Sequence, residues 1–312
     1  KMNNQIEKIN LNHSFIFFLV CNIFSLFFFK TNDLILSPLI CLLLILIIGV
    51  SHGSLDHLKG KKLLKILKFG NISIFYFAYL FLAFSITFFW ILFPATTLII
   101  FLIVAAFHFG KEDTQFLIKE NSYLNQLLFF LKGSLIISAP LFFHFDETIS
   151  IFKLLLIENE NFYSSLNFIE SNKLLNIFIV ISTLSSVFLF IKNFNSKKLS
   201  IFLDYFSILI INYYFTPLIA FTIYFCFLHS IRHSISLMYE LDNANLKIGC
   251  ITFLKKALPL TILTATFCLI SLYFLDKNYG FDSSILKLIF IGLASLTFPH
   301  ILLEYLIEKN EK

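Results

Sequence analysis

The sequence predicts an all-α, polytopic integral membrane bundle of about ten spans, with eight to ten compatible, in a single domain over residues 1–312. Three observations predict it. Hydrophobic residues make up 58% of the chain and charged residues 14%, against about 25% charged in a soluble domain. Phenylalanine alone fills 43 positions, and the mean hydropathy is +0.85. The apolar residues fall into ten runs joined by more polar links, and in lipid such runs satisfy their backbone only as helices.

The runs lie near 14–29, 34–51, 72–93, 95–109, 124–145, 174–191, 199–215, 217–237, 254–275 and 285–303. The first is followed by Lys30-Thr-Asn-Asp33, with no small-x-small cleavage site, so it reads as a retained span. Several of the others are near the lower limit for crossing a bilayer, roughly 17 residues. Only Thr216-Pro217 separates the seventh from the eighth, which leaves room for a smaller count.

The links orient the bundle. Lys59, Lys61, Lys62, Lys65 and Lys68 follow the second run; Lys192, Lys197 and Lys198 follow the sixth; Lys247, Lys255 and Lys256 follow the eighth. The link from Asp146 to Lys173 holds five acids and two lysines. Ten spans with both termini cytoplasmic put the lysine-rich links inside and the acidic one outside. Residues 59–68 also have an amphipathic pattern, but positive-inside anchoring is the simpler reading. The net charge of +5 is therefore a topology signal and gives no reason to expect nucleic acid. Lys132 and Asp204 fall within runs and are expected to snorkel to the interface. Cys21, Cys41, Cys226, Cys250 and Cys268 form no C-x-x-C pair and read as buried thiols.

Histidines carry the functional signal. His52, His108, the pair His229 and His233, and His300 lie in the second, fourth, eighth and tenth runs. All four runs are even-numbered, so these histidines share the cytoplasmic half of the bilayer. His13, in the N-terminal tail, and His144, at the outer end of the fifth run, do not share that depth and read as interfacial residues. His229 and His233 are four apart and share a helical face. Ionisable groups inside a membrane are functional candidates by default. Clustered imidazoles without thiolates favour iron, copper or zinc, and neutral imidazoles on divalent iron leave positions open for dioxygen.

Asp56 is four residues after His52 and Asp113 five after His108. Each is a candidate to accept the second ring N–H of a ligating histidine. Gly53 and Gly110 could turn the backbone there or let it approach a ligand. His57 lies about 140° around a helix from His52, so the two are not expected to share a metal. Arg232 is the chain's one arginine. Repulsion from a metal should turn it away, toward a carboxylate or a headgroup.

The ordered set His52-Gly-x-x-Asp56, Phe107-His108-Phe-Gly-x-x-Asp113, His229-Ser-x-Arg232-His233 and Pro299-His300 resembles the Brp/Blh family of bacterial and archaeal membrane β-carotene 15,15′-dioxygenases. The resemblance covers about residues 40–303. It implies an Fe(2+)-dependent oxygenase that cleaves β-carotene at its central double bond with O2, giving two all-trans-retinal that could supply a microbial rhodopsin. It implies His52, His108, His229 and His233 as catalytic metal ligands. Asp56, His57, Asp113, Arg232 and His300 are left as neighbours that orient a ligand or face the substrate. A multi-pass protein of the cell inner membrane is implied as well.

Two other classes compete. A transporter or metal carrier suits many spans with intramembrane ionisable groups, but it would line both halves of a pathway, whereas these groups gather on one side. A membrane di-iron hydroxylase or desaturase needs several histidine boxes, and only His229 and His233 form one.

Overall fold

A computed structural model of the chain describes residues 2–29, 37–51, 53–118, 122–192 and 194–310. Fifteen α-helices follow one another, with no strand among the described residues. They are α1 (Met2–Phe29), α2 (Pro38–Leu44), α3 (Asp56–Ile66), α4 (Ser73–Leu92), α5 (Pro94–Glu112), α6 (Tyr123–Gly133), α7 (Leu135–Phe143) and α8 (Phe145–Leu154). Then come α9 (Glu160–Ser171), α10 (Leu174–Ile191), α11 (Leu199–Tyr214), α12 (Pro217–Ile223), α13 (Ile231–Leu241), α14 (Leu246–Tyr279) and α15 (Phe281–Asn310). Pro38, Pro94 and Pro217 each open a helix, where a missing N–H costs nothing. A π-helical turn at Ile45–Gly49 extends α2, and a second at Tyr224–Ser230 joins α12 to α13.

This is a polytopic helical membrane protein. Among the described residues nine stretches are long and apolar enough to cross a bilayer. α2 with α3, α6 with α7, and α12 with α13 each make one of them. The run at 199–215 is the exception. It forms α11, whose 16 residues span only about 24 Å, less than the ~30 Å hydrocarbon core. α11 still reverses the chain. At one end Lys198 bonds the Lys192 carbonyl, and at the other the Asn212 carbonyl accepts from His144 Nε2 at 2.8 Å. It can be short because it is sheltered in the bundle, packed on α1, α7 and α10.

One apolar core draws on residues from Phe17 in α1 to Ala294 in α15. α4 and α14 lie at the periphery; Phe77 and Phe84 are 73% and 71% exposed on α4. Exposed phenylalanines of this kind are tolerable only against lipid, which accounts for much of the phenylalanine content. The acidic link from Asp146 to Lys173 is not a plain loop. It folds as α8 and α9, held to the bundle by Trp90, whose indole N–H donates to the Leu155 carbonyl at 3.0 Å.

Several expectations are corrected. Lys132 and Asp204 do not snorkel; both are buried. Lys59 is more than a surface anchor, since it pairs with Glu304 at 2.7 Å. His13 sits within α1 and donates to the Phe227 carbonyl of the second π-turn at 2.8 Å. Gly110 lies inside α5, where its missing side chain lets α6 approach and admits no ligand.

Candidate metal centre

Four of the histidines singled out in the sequence come together, buried at one level of the bundle. His108 lies in the penultimate turn of α5, His229 in the second π-turn, His233 in α13 and His300 in α15. The ring centroids of His108 and His229, and of His108 and His300, are 5.4 Å apart, and those of His233 and His300 are 5.7 Å apart. His52 lies outside the described residues. His57 takes no part in the cluster; its Nδ1 donates to the Ser54 carbonyl at 2.9 Å.

Carboxylates hold three of these rings. His229 Nδ1 donates to Asp113 Oδ1 at 3.2 Å, His233 Nδ1 to Glu112 Oε2 at 3.1 Å, and His300 Nδ1 to Asp56 at 2.9 Å. A carboxylate at Nδ1 fixes the tautomer with its proton there, so Nε2 offers the lone pair. Two of the acids are held in turn: the Tyr224 hydroxyl donates to Asp113 at 2.7 Å and the Tyr79 hydroxyl to Asp56 at 2.9 Å. Asp113 holds His229 and not His108, the histidine of its own motif. Asp56 follows a 3₁₀ turn at Gly53–Leu55 and reaches across to α15. Asp113 stands just past the end of α5 and reaches the π-turn.

Glu304, which sequence reasoning missed, lies at the middle of the cluster. Its carboxylate is 3.6 Å from His300 Nε2, 3.8 Å from His233 Nε2 and 3.9 Å from His108 Nδ1. His108, His300 and Glu304 each offer a ligand atom within 4.8 Å of the others. The signal was present: Glu304 is four residues after His300, and Glu112 four after His108, so each acid shares its histidine's helical face.

This donor set suits a divalent cation. Asp56, Glu112, Asp113 and Glu304 bring four acids to the cluster, and Lys59 pairs with Glu304. Arg232 grips Asp204 through two nitrogens, at 2.6 and 3.1 Å, and donates to Ser14 at 2.7 Å and to the Asp113 carbonyl at 3.2 Å. The pair is almost wholly buried. Arg232→Met should cost about 3–5 kcal/mol, because Asp204 would lose the cation it is paired with while staying buried. The double variant Arg232→Met with Asp204→Leu should recover most of it. Thermal unfolding in detergent reads both; a double variant no better than the single would sink the idea.

A cavity of about 820 Å³ reaches the cluster at His229, His233 and Glu304. Its outer lining carries Lys59, Lys62, Glu240 and Glu308, so its mouth faces a polar phase.

The family model for β-carotene 15,15′-dioxygenase matches residues 43–308. The chain belongs to that family. The β-carotene 15,15′-dioxygenase of uncultured marine bacterium 66A03 is 27% identical over 271 residues, covering 84% of this chain and 90% of that protein. No solved structure matches. Membership in the β-carotene 15,15′-dioxygenase family makes the chain an oxygenase and sets aside the transporter reading and the hydroxylase or desaturase reading. All four clustered histidines and Glu304 fall within the matched span.

Proposed function

We propose that this chain cleaves β-carotene at its 15,15′ double bond with O2, giving two molecules of all-trans-retinal, and that its histidine cluster holds Fe(2+). The observation that carries the reading is a buried group of imidazoles, three of them backed by carboxylates, inside a lipid-facing bundle. His108, His229, His233 and His300 would hold the metal, together with His52 from the sequence motif and with Glu304 within reach. Bound iron would supply the one-electron chemistry through which dioxygen can react with a closed-shell polyene.

The chain's own residues do the rest. Asp113, Glu112 and Asp56 fix ring orientation and proton position, so the donors are set before substrate arrives. Apolar rings exclude water: Phe109 lies 4.8 Å from the His229 ring and Phe225 stacks on it at 5.8 Å. No general base is required, because one O2 provides both aldehyde oxygens and no proton or outside reductant enters the balance.

We further place the chain in the cell inner membrane with both termini cytoplasmic, on the strength of the lysine-rich links. Its product could then load a microbial rhodopsin in the same bilayer. Expression in bacteria that make β-carotene tests the activity. The wild type should bleach the cells and accumulate all-trans-retinal. His229→Ala should do neither and should carry little iron. Retained activity and iron in that variant would overturn the proposal.

A further inference from the structure

A second cavity, of about 280 Å³, also reaches the cluster, at His108 and Glu304. It is a cleft between α5 and α15. Val104 and Phe107 form one wall, and Phe298, Ile301, Leu302 and Tyr305 the other. His108 and Glu304 lie at its base. Leu302 and Tyr305 are 44% and 56% exposed at its rim, and nearby Ile100 and Ile103 on α5 are also exposed. A rim of that composition faces lipid.

The two cavities meet at the cluster, so each is a route to it, and their chemistry differs. The larger mouth is ringed by lysines and glutamates, whose desolvation by a hydrocarbon would be costly. The cleft is walled mostly by aliphatic and aromatic side chains, with Lys111 and Glu112 at its edge toward the cluster. At its polar end Lys111, on α5, pairs with Glu308, on α15, at 2.5 Å. That pair ties the two helices together between the cleft and the charged mouth.

We propose that the α5–α15 cleft is the lateral entrance by which the carotenoid passes from the bilayer to the metal centre, with Val104 and Leu302 controlling access. This rests on the function proposed above. The occupant is a long unsubstituted polyene, because the two other charged side chains of the lining are engaged, Lys111 by Glu308 and Glu112 by His233 and Gln115, and the remaining walls are apolar. The volume suits part of such a chain, so the cleft is a mouth and not the whole binding site.

Two measurements in proteoliposomes carrying β-carotene in the bilayer test it. Val104→Trp and Leu302→Trp should each raise the KM for β-carotene about tenfold while leaving kcat and iron per chain near wild type, the mark of impaired access. Phe77→Trp, on the lipid face of α4, should change nothing. The second measurement needs no turnover. Leu302→Cys is made with Cys250 and Cys268 replaced by serine, since the other three thiols are buried. Without oxygen, β-carotene should slow labelling at position 302 by a bilayer-soluble thiol reagent, but not labelling of Phe77→Cys. Unchanged KM in both tryptophan variants, or equal labelling with and without carotenoid, would overturn the entrance. If the wild type forms no retinal, the function reading fails instead, and the labelling still reports whether the cleft takes carotenoid.

Discussion

With Fe(2+) held as proposed, His300→Ala is expected to bind little iron and to cut retinal formation by about a hundredfold or more, since even neighbours that merely orient a ligand are worth 10–100-fold. The sequence motifs leave His300 among residues that could face the substrate. The geometry gives it a closer place. Its Nδ1 is held by Asp56, its ring is 5.4 Å from that of His108, and its Nε2 is 3.6 Å from Glu304. A substrate-facing residue would have no need of a carboxylate fixing its tautomer. The two roles separate in a single experiment. If His300 only positions substrate, the alanine variant keeps its iron and shows a raised KM. If it holds the metal, iron per chain falls and kcat falls with it. Asp56→Asn should show a weaker version of the same loss, about 10–100-fold in metal affinity, because an amide cannot hold the Nδ1 proton with a charge. Full iron occupancy in His300→Ala would refute the assignment.

Reading depth from run number brought His108, His229, His233 and His300 to one level, because the sign of the links fixes which end of each run is which. That reasoning used ten crossings. It works even though α11 falls short of a full span, since α11 still reverses the chain between His144 and Lys198. The partners of the histidines were less legible. Asp56 and Asp113 stood out as acceptors for a ligating histidine, but spacing alone did not say which one. Asp56 follows a 3₁₀ turn and Asp113 a helix end, and both acids bond across the bundle, to His300 and His229.

The π-turns were invisible for a related reason. Nothing in Tyr224-Phe-Cys-Phe-Leu-His229-Ser230 disfavours an ordinary α-helix, and the wider turn arises from tertiary contacts. The Phe227 carbonyl takes a bond from His13, and the Ser230 hydroxyl donates to the Gly49 carbonyl of the other π-turn at 3.3 Å. Such turns gather at functional sites, and here one of them carries His229. Glu304 is different in kind: its spacing from His300 was readable, but an acid near the end of an apolar run looks like an interfacial residue until its neighbours are known.

A second effect on folding is expected at a pair of glycines where α5 meets α6. Gly110 of α5 and Gly133 of α6 face each other where those helices meet. A Cβ on Gly110 would fall on the Phe129 carbonyl and 2.9 Å from the Gly133 nitrogen. A Cβ on Gly133 would fall on the Ala106 carbonyl and 2.8 Å from the Gly110 nitrogen. The obstructing atoms are backbone, so no rotamer change relieves them, and the helices would have to separate. Close approach at small residues is a main source of helix association in lipid. Two effects compete in Gly→Ala. Helix propensity favours alanine by about 1 kcal/mol, and overpacking costs about 1–3 kcal/mol. Against rigid backbone the second should win, and Gly133→Val should be worse than Gly133→Ala. Gly292, inside α15 with nothing near its would-be Cβ, isolates the first effect. Gly292→Ala should leave the thermal midpoint unchanged or raise it, while Gly110→Ala and Gly133→Ala lower it. Because α5 also carries His108 and Glu112, pushing it off α6 should lower iron content as well, an outcome that loss of packing elsewhere in the bundle would not produce. A Gly133→Val protein as stable and as iron-rich as the wild type would show that α5 and α6 do not pack this closely.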